Sequence, residues 1–318
     1  ICACLVGSEM CIRDRCYMCI IITERSDRME FTKDWQDYEI IDASRGEKLE
    51  RWGNIYLLRP DPQIIWDNGN LSQKYKGKID AIYHRSNKGG GHWENLKKFN
   101  PVWQVKYKNL TFNIKQMGFK HTGLFPEQAY NWDMMIKKIK NSKKPVKVLN
   151  LFAYTGGASC ACLSAGASVV HVDSSKGMVD WCKENVNSCK LGDKPIRFLI
   201  DDVVKFVKRE IRRGNKYDAI IMDPPSYGRG SNGEVWDIEK DLAELVSLCC
   251  DILVDNPLFF LINSYTTGLS STVLANLLTL TVDKHKKGKI TCGEIGLPIT
   301  NSSLILPCGI YGRWESCE

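Results

Sequence analysis

Residues 222–230 read MDPPSYGRG: a carboxylate, Asp223, stands directly before two prolines, Pro224 and Pro225, with Tyr227 and Arg229 close behind. Proline fixes φ and carries no N–H, so the pair makes a stiff turn with a carboxylate on its rim. Asp223 and the Pro224 carbonyl can together accept the N–H bonds of one amino group. Such bonding favours the pyramidal, nucleophilic form of an amine whose lone pair is otherwise delocalised into a ring. Tyr227 offers a face on which a flat acceptor can stack, and Arg229, in a glycine-flanked loop, suits a phosphate.

More polar residues collect where strands should end. The run VKVLNLF leads into FAYTGGAS, where Gly156 and Gly157 let the backbone turn tightly beneath a ligand. The next apolar run ends at Asp173, 17 residues beyond Gly156, placed to take the hydroxyls of an adenosine ribose. A third ends at Asp201 and Asp202, able to accept from an adenine amino group. A lone Asp at such a place most often caps a helix, but acids at three successive strand ends after the glycine turn point to a ligand. Nicotinamide cofactors use similar parts, yet their G-x-G-x-x-G fingerprint is missing from TGGASCACLSAG. A ligand with ribose and adenine but no diphosphate fits better, and S-adenosylmethionine is one.

The elements that must position these residues fall into two parts. From Asp34 to about Lys120 the chain is a series of short β-like runs, YEIID, NIYLLRP, DAIYHR, VWQVKY and LTFNIKQ, separated by Gly, Asn and Pro signals, with a flexible loop expected at 86–93. From Pro126 strands and helices alternate: helices at about 126–141, 158–164, 175–190, 203–213 and 236–254, and strands VKVLNLF, SVVHVD, IRFLID, YDAIIMD and LFFLIN between them. That alternation predicts a mostly parallel sheet with ligands at the carboxyl ends of its strands. The expected division is a tail at 1–28, a small β-rich domain at 29–125 and a ligand-binding catalytic domain at 126–318.

Composition sets limits on function. The 318 residues are 43% hydrophobic and 25% charged, enough for one large or two modest domains. No apolar stretch reaches the roughly 18 residues of a membrane span. The first 28 residues hold five of the 14 cysteines, lack the pattern of a signal peptide, and resemble translated adapter sequence. The other nine cysteines are scattered, as suits a reducing, cytoplasmic setting. No pair of histidines or carboxylates has metal spacing, so no metal is expected. Between Lys88 and Lys147 there are 13 Lys or Arg against three acids. Interleaved with them are Trp93, Phe99, Trp103, Tyr107 and Phe112, which read as a basic, base-stacking face for nucleic acid and, compatibly, as the core-facing sides of half-buried strands.

Taken together, VLNLFAYTGGAS, HVDSS, FLIDDVVKFV and MDPPSYGRG resemble the successive motifs of class I S-adenosylmethionine-dependent methyltransferases. Residues 118–132, GFKHTGLFPEQAYNW, are similar to the segment preceding the cofactor domain in bacterial large-subunit ribosomal RNA methyltransferases. The resemblance implies an α/β fold, a Rossmann-like methyltransferase sheet with helices on both faces, preceded by the small β-rich domain, here a candidate RNA-binding unit. It implies cofactor contacts from Phe152, Tyr154, Thr155, Gly156, Gly157, Asp173, Ser174, Asp202 and Asp223. It faces Asp223, Pro224, Pro225 and Tyr227 towards the acceptor and makes Lys120, His121 and Arg229 candidate substrate contacts. The implied reaction is methylation of a base of ribosomal RNA at an exocyclic amine. A 5-methylcytosine-type mechanism needs a cysteine where Ser264 stands, leaving Cys308 as the thiol to consider. A protein or small-molecule acceptor, or an RNA chaperone without turnover, are the other readings.

Overall fold

The structure, a computed structural model, describes residues 29–86, 90–230 and 233–317; the expected tail lies outside them. Its centre is a seven-stranded sheet. The strands are β8 (Lys147–Leu151), β9 (Ser168–Asp173), β10 (Ile196–Ile200), β11 (Ala219–Met222), β14 (Phe259–Ser264), β15 (Gly288–Pro298) and β16 (Ile305–Ser316), in the order β10-β9-β8-β11-β14-β16-β15. The first five are parallel, and β16 and β15 add antiparallel at one end. β11 and β14 are buried along their whole length, which is why their sequences are unbroken apolar runs.

Alternate residues of these strands feed two cores. Val148, Ala219, Ile221, Phe259 and Leu261 pack beneath α2 (Ala129–Asn141), α3 (Gly157–Ser164) and α4 (Lys176–Ser188). Leu149, Ile220, Met222, Phe260 and Ile262 pack beneath α5 (Val203–Arg213), α6 (Ile238–Cys250) and α7 (Ser271–Leu278). Period-two side-chain direction thus places helices on both faces of the sheet. Asp202 and Asp237 start α5 and α6 by accepting from the backbone N–H of Lys205 and Glu239.

The β-rich part forms a five-stranded sheet of β1 (Tyr38–Ser44), β2 (Glu47–Trp52), β3 (Ile55–Pro60), β4 (Ala81–Arg85) and β5 (Gly91–Asn95), with the short helix α1 (Leu71–Lys74) between β3 and β4. A separate hairpin, β6 (Val102–Tyr107) and β7 (Leu110–Lys115), lies on α4, where Trp181 Nε1 donates to the Asn113 carbonyl at 3.0 Å. The flexible loop expected at 86–93 is corrected here: Gly91, His92 and Trp93 belong to β5, paired with β4, while 87–89 lie outside the described residues. The aromatic series is also core. Tyr107 and Phe112 are fully buried around Trp132 of α2, at ring distances of 5.8 and 5.2 Å, and Trp93, Phe99 and Trp103 are half-buried against the same cluster. Tyr107 and Phe112 are therefore closed to base stacking, because the hairpin needs them to bury its inner face. Tyr38, Ile40 and Trp52 join that cluster, as do Ile295 and Leu297 of β15.

One buried ion pair fixes the inner face of the five-stranded sheet. Glu50 on β2 receives both Nε and Nη2 of Arg59 on β3, at 2.5 and 2.8 Å, and the Tyr38 hydroxyl at 2.7 Å. Burial alone would raise the Glu50 pKa, but Arg59 and Lys48 outweigh it and hold the carboxyl at about 2. A carboxylate depressed in this way stabilises the fold above its ordinary value of 4.5 and loses that contribution as pH falls towards about 2. Glu50→Gln leaves the Arg59 charge buried without its counter-ion and should cost about 3–5 kcal/mol of unfolding free energy at pH 7. Urea denaturation measures it: the gap between wild type and variant should narrow as pH falls below 4, and a pH-independent gap would show that the charge pair is not the cause.

Candidate active site

The loop after β8 is strained and tied down. Phe152 and Tyr154 have φ of +53° and +51°, conformations that cost a non-glycine residue roughly 1–2 kcal/mol each, and Gly156 follows at +85°. The bonds that hold them come from three directions. Ala153 N–H donates to the Val172 carbonyl at 3.1 Å, Tyr154 N–H to Asp173 Oδ2 at 2.8 Å, and Asn185 Nδ2 to the Thr155 carbonyl at 2.9 Å. The Thr155 hydroxyl donates to the Gly123 carbonyl at 2.5 Å. A methyl at Gly156 would meet Cys182 Sγ at 2.1 Å, and one at Gly157 would meet the Trp132 ring at 2.7 Å. Backbone strain over-determined by its surroundings is characteristic of binding loops.

Above this loop opens a narrow cleft of about 50 Å³, walled by Phe152, Tyr154, Thr155, Gly157 and Asp223 of the sequence-derived candidates. Residues not foreseen complete it: Phe125 and Gln128 from the segment ahead of α2, Trp132 from α2 itself, and Asn150 and Asn263 from the strands. Asn131 Nδ2 joins Gln128 Oε1 to Asn263 Oδ1, both at 3.0 Å, and Gln128 Nε2 donates to the Tyr265 hydroxyl at 2.7 Å. Asn150 and Asn263 did carry a signal, as amides inside otherwise apolar central strands. Phe125 ties the wall together, its ring 5.5 Å from His121, 5.5 Å from Tyr154 and 5.3 Å from Tyr265.

Asp173, Ser174 and Asp202 lie outside the cleft lining, at the ends of the neighbouring strands β9 and β10. The Asp173 oxygens accept one bond each, from the N–H of Tyr154 and of Ser175, both at 2.8 Å, and keep further lone pairs. Burial raises its pKa against these two bonds. Asp202 Oδ1 caps α5, while Asp201 pairs with Arg209. Strand order puts these acids one and two strands from the loop, so a ligand spanning them would lie across the ends of β8, β9 and β10.

Asp223 ends β11, next to the loop. Burial first, and the nearby Glu127 carboxylate second, push its pKa up to about 7. Glu127 is itself buried on the 3-10 turn Pro126–Gln128, where burial raises its pKa too. Pro224 is buried, and the exposed Pro225 accepts from Trp236 Nε1 at 2.7 Å, which fixes the turn. Tyr227 and Arg229 stand exposed on β12 (Tyr227–Arg229), paired with β13 (Val235–Asp237). Lys120 and His121 point inward: burial lowers both, His121 to about 4, so His121 is neutral at pH 7. Cys308 is half-buried on β16, its thiol pushed well above the ordinary range by burial and then by Glu127. Ser264 is fully buried, its Oγ accepting from Thr266 N–H at 3.2 Å. The described residues hold no cluster of His, Cys, Asp or Glu fit for a metal ion, and no helix among them is long and apolar enough to cross a membrane.

A family model described as S-adenosylmethionine-dependent methyltransferase matches residues 74–268. A ribosomal RNA large subunit methyltransferase K/L from Syntrophotalea carbinolica is 28% identical over 189 residues, 59% of this chain and 26% of that protein. The chain spans about a quarter of the length of the curated relatives it matches. A crystal structure of a SAM-dependent methyltransferase from Agrobacterium tumefaciens is 31% identical and superposes with a TM-score of 0.86, over 92% of this chain and 94% of that one. The fold is shared with a more distant methyltransferase structure, SMU.776 complexed with SAH, at 18% identity and a TM-score of 0.65, over 88% of this chain and 76% of that one.

The residues present fit S-adenosylmethionine. Two glycines packed against Cys182 and Trp132 hold the tight turn from which α3 begins, Phe152, Tyr154 and Gly157 line the cleft, and Asp173 has lone pairs to spare for hydroxyls. Asp173→Ala should weaken S-adenosylmethionine binding by about 1.5–3 kcal/mol, roughly tenfold or more. Isothermal calorimetry on a variant whose melting temperature confirms folding measures it. Unchanged affinity would put the ribose elsewhere.

Proposed function

Because the chain belongs to the S-adenosylmethionine-dependent methyltransferases, we propose that it methylates an exocyclic amine on a base of RNA, ribosomal RNA in the first place. The observation that carries the reading is Asp223, a carboxylate at the cleft wall, fixed before a doubly constrained turn and held near neutrality. Bound S-adenosylmethionine supplies an electrophilic methyl group. The chain's own work is to present a nucleophile in line and keep water out. Asp223 and the Pro224 carbonyl accept the two N–H bonds of the amine, and Asp223 takes the proton that the amine must lose. A carboxyl with a pKa near 7 is matched to that task. Tyr227 stacks on the base.

RNA as the acceptor class rests on three supports: the names of the curated relatives, the 13 cations of residues 88–147, and the expectation that 29–125 is the RNA-binding unit. The raised Cys308 thiol favours nitrogen over a covalent carbon mechanism, since a protonated thiol is a poor nucleophile. A small-molecule acceptor would give turnover indifferent to RNA and only weakly dependent on salt. Mass spectrometry of nucleosides in RNA from cells with and without the gene tests the reading: a methylated amino group should vanish with the gene.

Two kinetic outcomes follow. Asp223→Ala should lower kcat on the order of 100-fold or more while changing S-adenosylmethionine affinity only slightly, because its contacts tighten on the way to the transition state. Equal losses in both would make Asp223 a cofactor ligand only. Below its pKa Asp223 is protonated and cannot act as base, so kcat/KM should rise with pH through about 7. Glu127→Gln removes the neighbouring negative charge and should move that inflection to lower pH; an unmoved inflection would assign it to another group.

A further inference from the structure

The segment that leads from β7 to the cleft is a rigid finger. Lys115 N–H donates to the Thr122 carbonyl and Met117 N–H to the His121 carbonyl, both at 3.3 Å, so residues 118–120 form the tip of a hairpin. Three side chains of the β-rich sheet pin its backbone. Trp93 Nε1 donates to the Met117 carbonyl at 2.9 Å, the Tyr83 hydroxyl to Gly118 at 3.5 Å, and Arg59 Nη1 to Lys120 at 2.8 Å. Both arms touch the site. The Tyr154 hydroxyl meets Met117 Sδ at 3.3 Å, and His121 lies against Phe125. At the tip, Phe119 leaves 62% of its surface in water.

Single exposed apolar residues are ordinary, but this one is distinguished by its place. Ten large hydrophobic residues stand exposed among the described residues, and the aromatic ones are Phe119 and Tyr227 alone. One sits on the finger above the cofactor loop and the other four residues past Asp223. An aromatic ring held out by a pinned backbone loses little entropy when it inserts between bases. Withdrawal of a base from a helix leaves a gap of just that shape and polarity.

We propose that Phe119 is a wedge that enters the base stack of structured RNA where the acceptor base leaves it, holding the base out while Tyr227 and the Asp223 turn receive it. This rests on the reading of RNA as acceptor. Phe119 is a positioning residue: it touches the neighbours of the acceptor, and its contribution is confined to RNA in which that base is stacked.

The test compares methyl incorporation by wild type, Phe119→Ala and Phe119→Trp on large-subunit ribosomal RNA from a gene-deleted strain. The RNA is used folded in magnesium and, separately, cut into short single strands. Phe119→Ala should lose roughly 10–100-fold more kcat/KM on folded RNA than on fragments, the cost of unstacking a base unaided, and Phe119→Trp should recover most of the difference. Equal losses on the two RNAs, or no loss on folded RNA, would overturn the wedge while leaving RNA as the acceptor. Wild-type protein that methylates neither RNA would overturn both.

Discussion

The bond from the Tyr154 amide to the Asp173 carboxylate is the constraint on which the site depends. It joins the loop after β8 to the end of β9, and it holds a non-glycine residue at positive φ that would otherwise relax. Gly156 then sits against Cys182 with no room for a methyl, so α3 must start where it does. Aiming Asp173 therefore also aims the loop. An acid with one oxygen on Tyr154 and the other on Ser175 is oriented before any ligand arrives, which is the preorganisation a binding site requires.

The β-rich part supports the site rather than merely preceding it. Its hairpin covers α4, and α4 supplies Cys182 behind Gly156 and Asn185 beneath Thr155. Arg59 donates to the Glu50 carboxylate on one side and to the carbonyl of Lys120 on the other, so the buried ion pair of the five-stranded sheet also fixes the finger. Core packing runs without a break from Tyr38 and Trp52 through Trp132 to Val148. Mutations in the sheet should be felt at the cleft through these contacts.

The parallel strands and their helices were legible because each is a run of one period bounded by its own stop signals: SVVHVD is β9 residue for residue, and 203–213 is α5. β2 and β5 were not, since EKLERW and GHWEN are polar and short, and their partners identify them. The hairpin of β15 and β16 was missed for a related reason: its glycines and charges read as loop until pairing with β14 gives them a sheet to finish. Within the site, the loop glycines, Asp173 and Asp223 stood out because strand ends are marked in sequence. Phe125 and Tyr265 lie 140 positions apart and Glu127 is nearly 100 from Asp223, so only the fold brings them together. The aromatic residues of 93–112 carry an interleaved pattern that serves nucleic-acid stacking and strand burial equally well, and the sequence does not say that Trp132 arrives from α2 to bury Tyr107 and Phe112 while Trp93, Phe99 and Trp103 stay half-exposed.

Charge around the cleft explains why Asp223 is held near neutrality. The cations that favour ionisation of Glu127 are Lys48 and Arg59, and both are occupied, Arg59 by Glu50 and Lys48 by Glu50 and Asp61. Glu127 and Asp223 thus share an interior with little compensating charge, and Coulomb repulsion adds to burial in disfavouring two ionised carboxylates. A positively charged ligand centre entering that interior has the opposite effect: it favours ionisation of whichever acid it nears. On the proposed reading, filling the cleft with a sulfonium and arming Asp223 as a proton acceptor are one linked equilibrium, and near pH 7 the unliganded enzyme holds its base only partly ionised until the methyl donor is in place.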